Sequence, residues 1–199
     1  NIFNYIFDFY GSKKNMIITT NKLKKKIPKI NNTNLIIIKK NNSMFSTIKQ
    51  SSKFLVNEKN FFLTSCDCFG KFDTNILKKV KNKNIDLCLF GFNFSSIQKK
   101  LNNAHTQLVL ENQKVRNIKV KSVFNEKLVG LAGFFWINSA NVFKYINEFV
   151  CSEYYKSLKR EIIIDDYFKY ITLNKLVKVS FIKLTNYTHI GSVEEYKEY

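Results

Sequence analysis

A carboxylate set just past an apolar run is the feature of this chain most suited to chemistry. Residues 60–73 read NFFLTSCDCFGKFD, and Phe61 to Ser65 has the length and residue types of a buried strand. Asp67 follows that strand, and a second carboxylate stands at Asp73. Ligands on open α/β sheets bind outside the carboxyl ends of the strands, which makes Asp67 a candidate site residue. The competing reading is an Asp that ends the strand and caps the next turn. The rest of the chain has to decide between them.

Other reactive side chains are sparse. The histidines are His105 and His189, and neither has a Ser, Cys or Asp partner close by in sequence, so a nucleophile with an adjacent base finds little support. The cysteines are Cys66, Cys68, Cys88 and Cys151. A lone Cys-x-Cys without a second pair is a weak zinc signal, and reduced structural thiols of a cytosolic protein are expected.

The elements that must position Asp67 alternate regularly. Ile2–Tyr10 has a helical apolar face closed by Gly11; Met16–Thr19 and Leu35–Ile38 read as strands, with a Lys-rich turn or helix over Leu23–Ile27 between them. Ser43–Val56 reads as a helix, then the strand ending at Asp67, then a helix over Thr74–Lys83 capped at Asp73 or Thr74. In the second half, Ile85–Phe94 is a strand, Thr106–Glu111 and Val115–Val120 form a hairpin around Asn112-Gln113, and Val129–Ile137 is a further strand. Helices over Asn141–Val150, Ser152–Lys159 and Asp165–Leu173 precede a strand over Val177–Lys183, and Trp136 is expected in the core. A β/α alternation of this kind predicts a mostly parallel sheet with helices on both faces. The single Pro28 and few glycines leave no linker, so one domain over residues 1–199 is expected.

With 199 residues, 45% of them hydrophobic, the chain can bury a sizeable core. No apolar run is long enough for a transmembrane helix, and Asn1–Tyr10 lacks the basic start and cleavage site of a signal peptide, so no membrane partner is expected. The formal charge of +18 invites nucleic acid as a partner. Yet the excess is Lys spread among Asn, Ile and Phe, with only Arg116 and Arg160 as arginines, which argues for compositional bias over a nucleic-acid surface.

Four segments, in order, resemble the sugar-phosphate nucleotidyltransferases, with a capsule or surface-polysaccharide flavour. TSCDCFGKFD is similar to the family's strand-end motif, whose Asp, here Asp67, binds the catalytic Mg2+; VRNIKVK, residues 115–121, resembles its V-x-x-I-x-E-K segment, whose Lys, here Lys121, contacts the acceptor. Residues 130–146, GLAGFFWINSANVFKYI, look like its glycine-aromatic strand and helix. EIIIDDYFKYI and NYTHIGSVEEYKEY, residues 161–171 and 186–199, resemble E-x-x-x-T-D and the terminal W-x-D-x-G-T-P-E-x-Y signature. The resemblance implies an α/β fold, a GT-A-like Rossmann-type three-layer sandwich. It implies transfer of a nucleoside monophosphate from a nucleoside triphosphate to a phosphorylated small-molecule acceptor with release of pyrophosphate, in the cytoplasm. It also implies Asp67 and Lys121 as catalytic residues, Ser65, Gly133, Glu161, Asp166, His189 and Gly191 as substrate-binding, and Ser43 and Thr47 as nucleotide-binding. A homo-oligomer is compatible with this reading.

Departures from the family pattern carry their own expectations. The chain opens on Asn1 and is expected to lack its natural beginning, including the family's Gly-rich triphosphate loop. His189 stands where the family has its second metal-binding Asp, leaving the metal to Asp67, the phosphates and Asp166. Ser43 replaces the Gly of a base-contacting G-x-x-x-T turn ending at Thr47, and Val120 replaces the Glu before Lys121. Glu161 and Asp166 can equally serve as dipole-favouring carboxylates at a helix start. A GT-A glycosyltransferase, which would want Asp-x-Asp, and a basic nucleic-acid-binding protein remain as alternatives.

Overall fold

The computed structural model describes residues 15–27, 33–39, 43–56, 58, 60–65, 67–100, 105–138, 140–189 and 193–197. The expected helix over Ile2–Tyr10, Gly11, Pro28, Cys66 and Gly191 lie outside them. Six strands make the central sheet: β3 (Phe61–Thr64), β5 (Leu87–Phe92), β6 (Gln107–Glu111), β7 (Lys114–Lys119), β8 (Val129–Ile137) and β9 (Val179–Lys183). From one edge the order is β7-β6-β8-β5-β9, with β3 beside the carboxyl-terminal half of β8. β3, β5, β6 and β9 run in one direction, as the β/α alternation anticipates. β8 is inserted among them the other way, so its pairings with β3, β5 and β6 are antiparallel, and β7 joins β6 as the return arm of a hairpin. That hairpin turns at Asn112 (φ 48°) and Gln113 (φ 60°), the paired left-handed residues that match strand twist.

Alternation along β5 and β8 builds two cores. Leu87, Leu89, Leu131, Phe135 and Ile137 face one side, where α2 (Met44–Leu55), α6 (Ile146–Cys151) and α8 (Ile164–Leu173) bring Phe45, Ile48, Phe149, Tyr167 and Phe168 against them. Cys88, Phe90, Phe92, Phe134 and Trp136 face the other, covered by Leu77 and Val80 of α3 (Thr74–Asn82). Near-continuous apolar strands follow from this two-sided burial: all six residues of β5 are buried, and so is Trp136. The three layers expected are thus present.

α2 begins at Ser43, whose Oγ accepts from the N–H of Ser46 at 3.1 Å. The helix expected over Asn141–Val150 breaks at Tyr145 into α5 (Asn141–Lys144) and α6, and Ser152 caps a separate α7 (Glu153–Ser157) through the N–H of Tyr155. β1 (Asn15–Thr20) pairs in parallel with β2 (Thr33–Ile38), joined through α1 (Asn21–Lys24). Two further strands escape the sequence pattern: β4 (Cys68–Lys71) pairs antiparallel with β10 (Asn186–His189). Four residues each, they are too short for a periodic signal, and they set the site.

Candidate functional site

β3 ends at Thr64, and the backbone crosses to β8 once more through Ser65 N–H, which donates to the Gly133 carbonyl at 2.9 Å. A Cβ on Gly133 would lie 2.7 Å from Ser65 Oγ and 2.9 Å from Cys68 Sγ, so only glycine lets the chain turn this closely. Asp67 stands at that turn, and the register of β4 with β10 sets His189 opposite Cys68, one residue along. The outcome is an ion pair of 3.6 Å between His189 Nε2 and Asp67 Oδ2. His189 holds the Asp67 carboxyl down at about 2, against the upward pull of burial, and Ser65 adds to the lowering. Burial pushes His189 down, but Asp67 and Glu195 outweigh it and its affinity for a proton rises.

Behind His189 lies a layer that sequence reasoning missed. Its Nδ1 is 2.7 Å from Glu195 Oε2 on the short helix α9 (Val193–Lys197), and Glu195 is 3% exposed. Gln98, on α4 (Ser96–Lys100), donates Nε2 to Glu195 Oε1 at 3.2 Å and is itself held by the N–H of Ser95. His105 Nε2 approaches the same Oε1 at 3.5 Å without a hydrogen-bond partner among the described residues, and burial lowers its affinity for a proton while Glu195 opposes the fall. The chain's two histidines, far apart in sequence, therefore share one carboxylate. The acidic VEEY segment after His189 was the available signal; the pairing with His105 depends on the fold. Tyr187 stacks on Phe92 with centroids 3.9 Å apart, walling the site beside the carboxyl end of β5.

Lys121 belongs to an adjoining cluster. It follows β7 with φ 40°, a left-handed conformation uncommon for a side-chain-bearing residue, and its N–H donates to Thr106 Oγ1 at 3.3 Å. The same Thr106 hydroxyl hydrogen-bonds Asp165, whose carboxyl burial pushes up to about 6 while Thr106 and the Lys121 charge oppose the rise. His105 and Thr106 are consecutive, so one short segment ties the Asp67 group to the Lys121 group. Gln107 extends that tie, accepting the N–H of Asn125 and donating to Ser122 Oγ at 2.7 Å.

Among the other expected site residues, Ser65, Gly133 and His189 gather around Asp67. Asp166 is fully buried and takes Arg160 Nη2 at 2.6 Å and Nη1 at 2.8 Å, the Tyr154 hydroxyl and the N–H of Ile163. Both its oxygens are engaged in anchoring the start of α8. Glu161 is exposed beside it, its carbonyl accepting from Arg160. Ser43 and Thr47 make the bonds of a helix start, Thr47 Oγ1 donating to the Ser43 carbonyl at 3.1 Å. Cys68 is buried and its thiol pushed up to about 12, as befits a structural thiol. Among the described residues, no helix is long and apolar enough to cross a membrane.

No family model matches the chain, and no curated protein matches it. Solved structures do. A chain described as a glucose-1-phosphate thymidylyltransferase from Bacillus anthracis superposes with a TM-score of 0.72 at 14% identity, over 99% of this chain and 79% of that one. The nucleoside-diphosphate-sugar pyrophosphorylase from Vibrio cholerae RC9 gives 0.69 at 14% identity over 98% and 84%, and the inositol-1-phosphate CTP transferase from T. maritima 0.67 at 14% identity over 93% and 73%. With its central sheet, its two helical layers and a carboxylate at the strand end, this chain has the fold of the sugar-phosphate nucleotidyltransferases.

Proposed function

We propose that the protein transfers a nucleoside monophosphate from a nucleoside triphosphate to a phosphorylated small-molecule acceptor, with release of pyrophosphate. The observation that carries this reading is the meeting of Asp67, Ser65, Gly133 and His189 outside the carboxyl end of β3, with Lys121 tied to the same edge through His105-Thr106. In such a transfer an acceptor phosphate oxygen attacks the α-phosphorus in line and the pyrophosphate oxygen leaves. Positioning and charge neutralisation supply most of the acceleration.

The residues present fit a divalent cation. Asp67 is ionised at neutral pH and faces the second donor, His189 Nε2, across 3.6 Å. A cation held there, for which Mg2+ is the default of such reactions, would neutralise the triphosphate oxygens. Lys121, a point charge on a flexible stem, holds the acceptor phosphate, and Ser65 with the Gly133 backbone shapes the floor. Gly191, Glu161, Ser43 and Thr47 belong to the same proposal as substrate- and nucleotide-side residues. The products would be activated sugars or related metabolites for surface polysaccharide assembly, made in the cytoplasm where triphosphates are supplied, by a single domain able to form homo-oligomers.

The test is pyrophosphate release by the natural full-length protein over a panel of nucleoside triphosphates and sugar or polyol phosphates, with divalent cations varied. Release that requires one triphosphate, one acceptor and a divalent cation together is the expected result. Specific oligonucleotide binding at physiological salt, with no release from any pair, would overturn it.

A further inference from the structure

Resting on that reading of Asp67, we propose that His189 is the second metal ligand through Nε2, oriented by Glu195, and that the site therefore prefers a divalent transition cation of the Mn2+, Co2+ and Zn2+ class over Mg2+. The spacing is suitable: a cation about 2.0–2.2 Å from both a carboxylate oxygen and an imidazole nitrogen sets those atoms roughly 3.0–3.5 Å apart. Asp67 Oδ2 and His189 Nε2 are 3.6 Å apart without one. The orientation is also suitable. A cation that displaces the Nε2 proton shared with Asp67 would leave the ring's remaining N–H on Nδ1, 2.7 Å from Glu195 Oε2, and free the Nε2 lone pair for the metal. A carboxylate behind a metal-binding histidine is the arrangement that fixes tautomer and raises ligand basicity.

Glu195 is built for this task. It is 3% exposed, on a five-residue helix, and held by Gln98 from a separate element. A buried carboxylate costs folding free energy unless its partners repay it, and its contacts here include Gln98 and the two imidazoles. The choice of metal follows from donor softness. Mg2+ sheds water reluctantly and takes oxygen donors, whereas imidazole suits the transition ions. One imidazole in a two-residue ligand set thus tilts the site away from Mg2+. His105 belongs to the outer layer: its donor atom, with those of His189 and Glu195, lies within a 4.8 Å group that defines a rival placement.

The natural full-length protein, stripped with a chelator, is titrated with Co2+ and with Mg2+ without nucleotide, by equilibrium dialysis and visible absorption. One Co2+ per chain is expected, with affinity at least about tenfold above that for Mg2+. The proton spectrum of the Co2+-loaded wild-type protein should contain an exchangeable, paramagnetically shifted imidazole N–H, a readout that needs no variant. His189→Asp should abolish that resonance and narrow the gap to Mg2+; Glu195→Gln should weaken Co2+ by about 10- to 100-fold. His105→Ala should weaken Co2+ less than Glu195→Gln does, since His105 supplies no proposed ligand atom. Equal affinities for the two ions, or a shifted N–H that survives His189→Asp, would overturn the inference. So would Co2+ binding lost in His105→Ala and kept in Asp67→Asn, which would move the cation to the rival group. Failure of the transferase reading looks different: Co2+ binds with its imidazole signature, yet no triphosphate is consumed with any cation.

Discussion

Asp67 and Lys121 divide the proposed work, and substitutions should separate them. Asp67→Ala is expected to leave the fold intact, because the side chain lies at a turn and packs into neither core, while removing most turnover for want of a carboxylate at the triphosphate. Steady-state pyrophosphate release beside a thermal melt reads both, and near-normal rates would refute the assignment. Lys121→Ala should raise the acceptor KM well beyond that of the triphosphate, since the ammonium is proposed to reach only the attacking phosphate. Equal losses for both substrates would mark a surface lysine. Asp165 gives a stability signature in pH. Burial raises its carboxyl from 3.8 to about 6 in the folded protein. Between those values the native state holds more protons than the unfolded one, so stability from this group is present below pH 4 and is lost as pH rises through 6. The loss is at most about 3 kcal/mol. Asp165→Asn should therefore be stabilised relative to wild type at pH 7.5 and show little advantage at pH 4, measured by urea unfolding at both; an equal effect at the two pH values would contradict a raised carboxyl.

At the scale of elements, α8 is anchored by an ion pair between a buried carboxylate and a partly exposed guanidinium, whose loss should be costly. Asp166 is fully buried and Arg160 is 36% exposed, with the guanidinium bonding both carboxylate oxygens. Arg160→Ala leaves that carboxylate to the Tyr154 hydroxyl and the Ile163 N–H, and about 1–3 kcal/mol of unfolding free energy should disappear in denaturant titration. A change under about 1 kcal/mol would reduce Asp166 to a dipole-favouring carboxylate. Asp165 and Asp166 are adjacent carboxylates, and sequence cannot say which turns to Arg160 and which to Thr106. Strands and helices with apolar periodicity were legible: β5, β8, the hairpin of β6 and β7, and the span of α2 lie within two residues of expectation. Asp67 was legible because it terminates such a strand. β4 and β10 were not, since CFGK and NYTH lack any alternation and are defined only by pairing over more than a hundred residues. With β10 unread, the approach of His189 to Asp67 was implied by the family resemblance alone, and Glu195 behind it stayed out of reach.

For the molecule as a whole, 33 basic against 15 acidic residues give a field that any phosphate-bearing partner will feel. Both proposed substrates are small anions, so encounter should be steered. kcat/KM for the triphosphate is expected to fall a few-fold as ionic strength rises from about 0.03 to 0.3 M, because the Debye length shrinks across that range. kcat should hardly move, since the bound phosphates meet Lys121 and the Asp67 site at contact distance, where bulk salt screens little. A nucleic-acid-binding surface would behave otherwise. Each phosphate it neutralises releases counterions, so affinity for an oligonucleotide would fall by orders of magnitude between 50 and 200 mM salt. The lysines counsel against such a surface, being spread along the chain with Arg116 and Arg160 as the arginines, and Arg116 and Arg160 are paired with Glu111 and Asp166. Running the triphosphate kinetics and a labelled-oligonucleotide titration over the same salt series separates the cases. Turnover that persists at physiological salt while oligonucleotide binding vanishes assigns the charge to steering; saturable oligonucleotide binding there, competed by neither substrate, would assign it to nucleic acid.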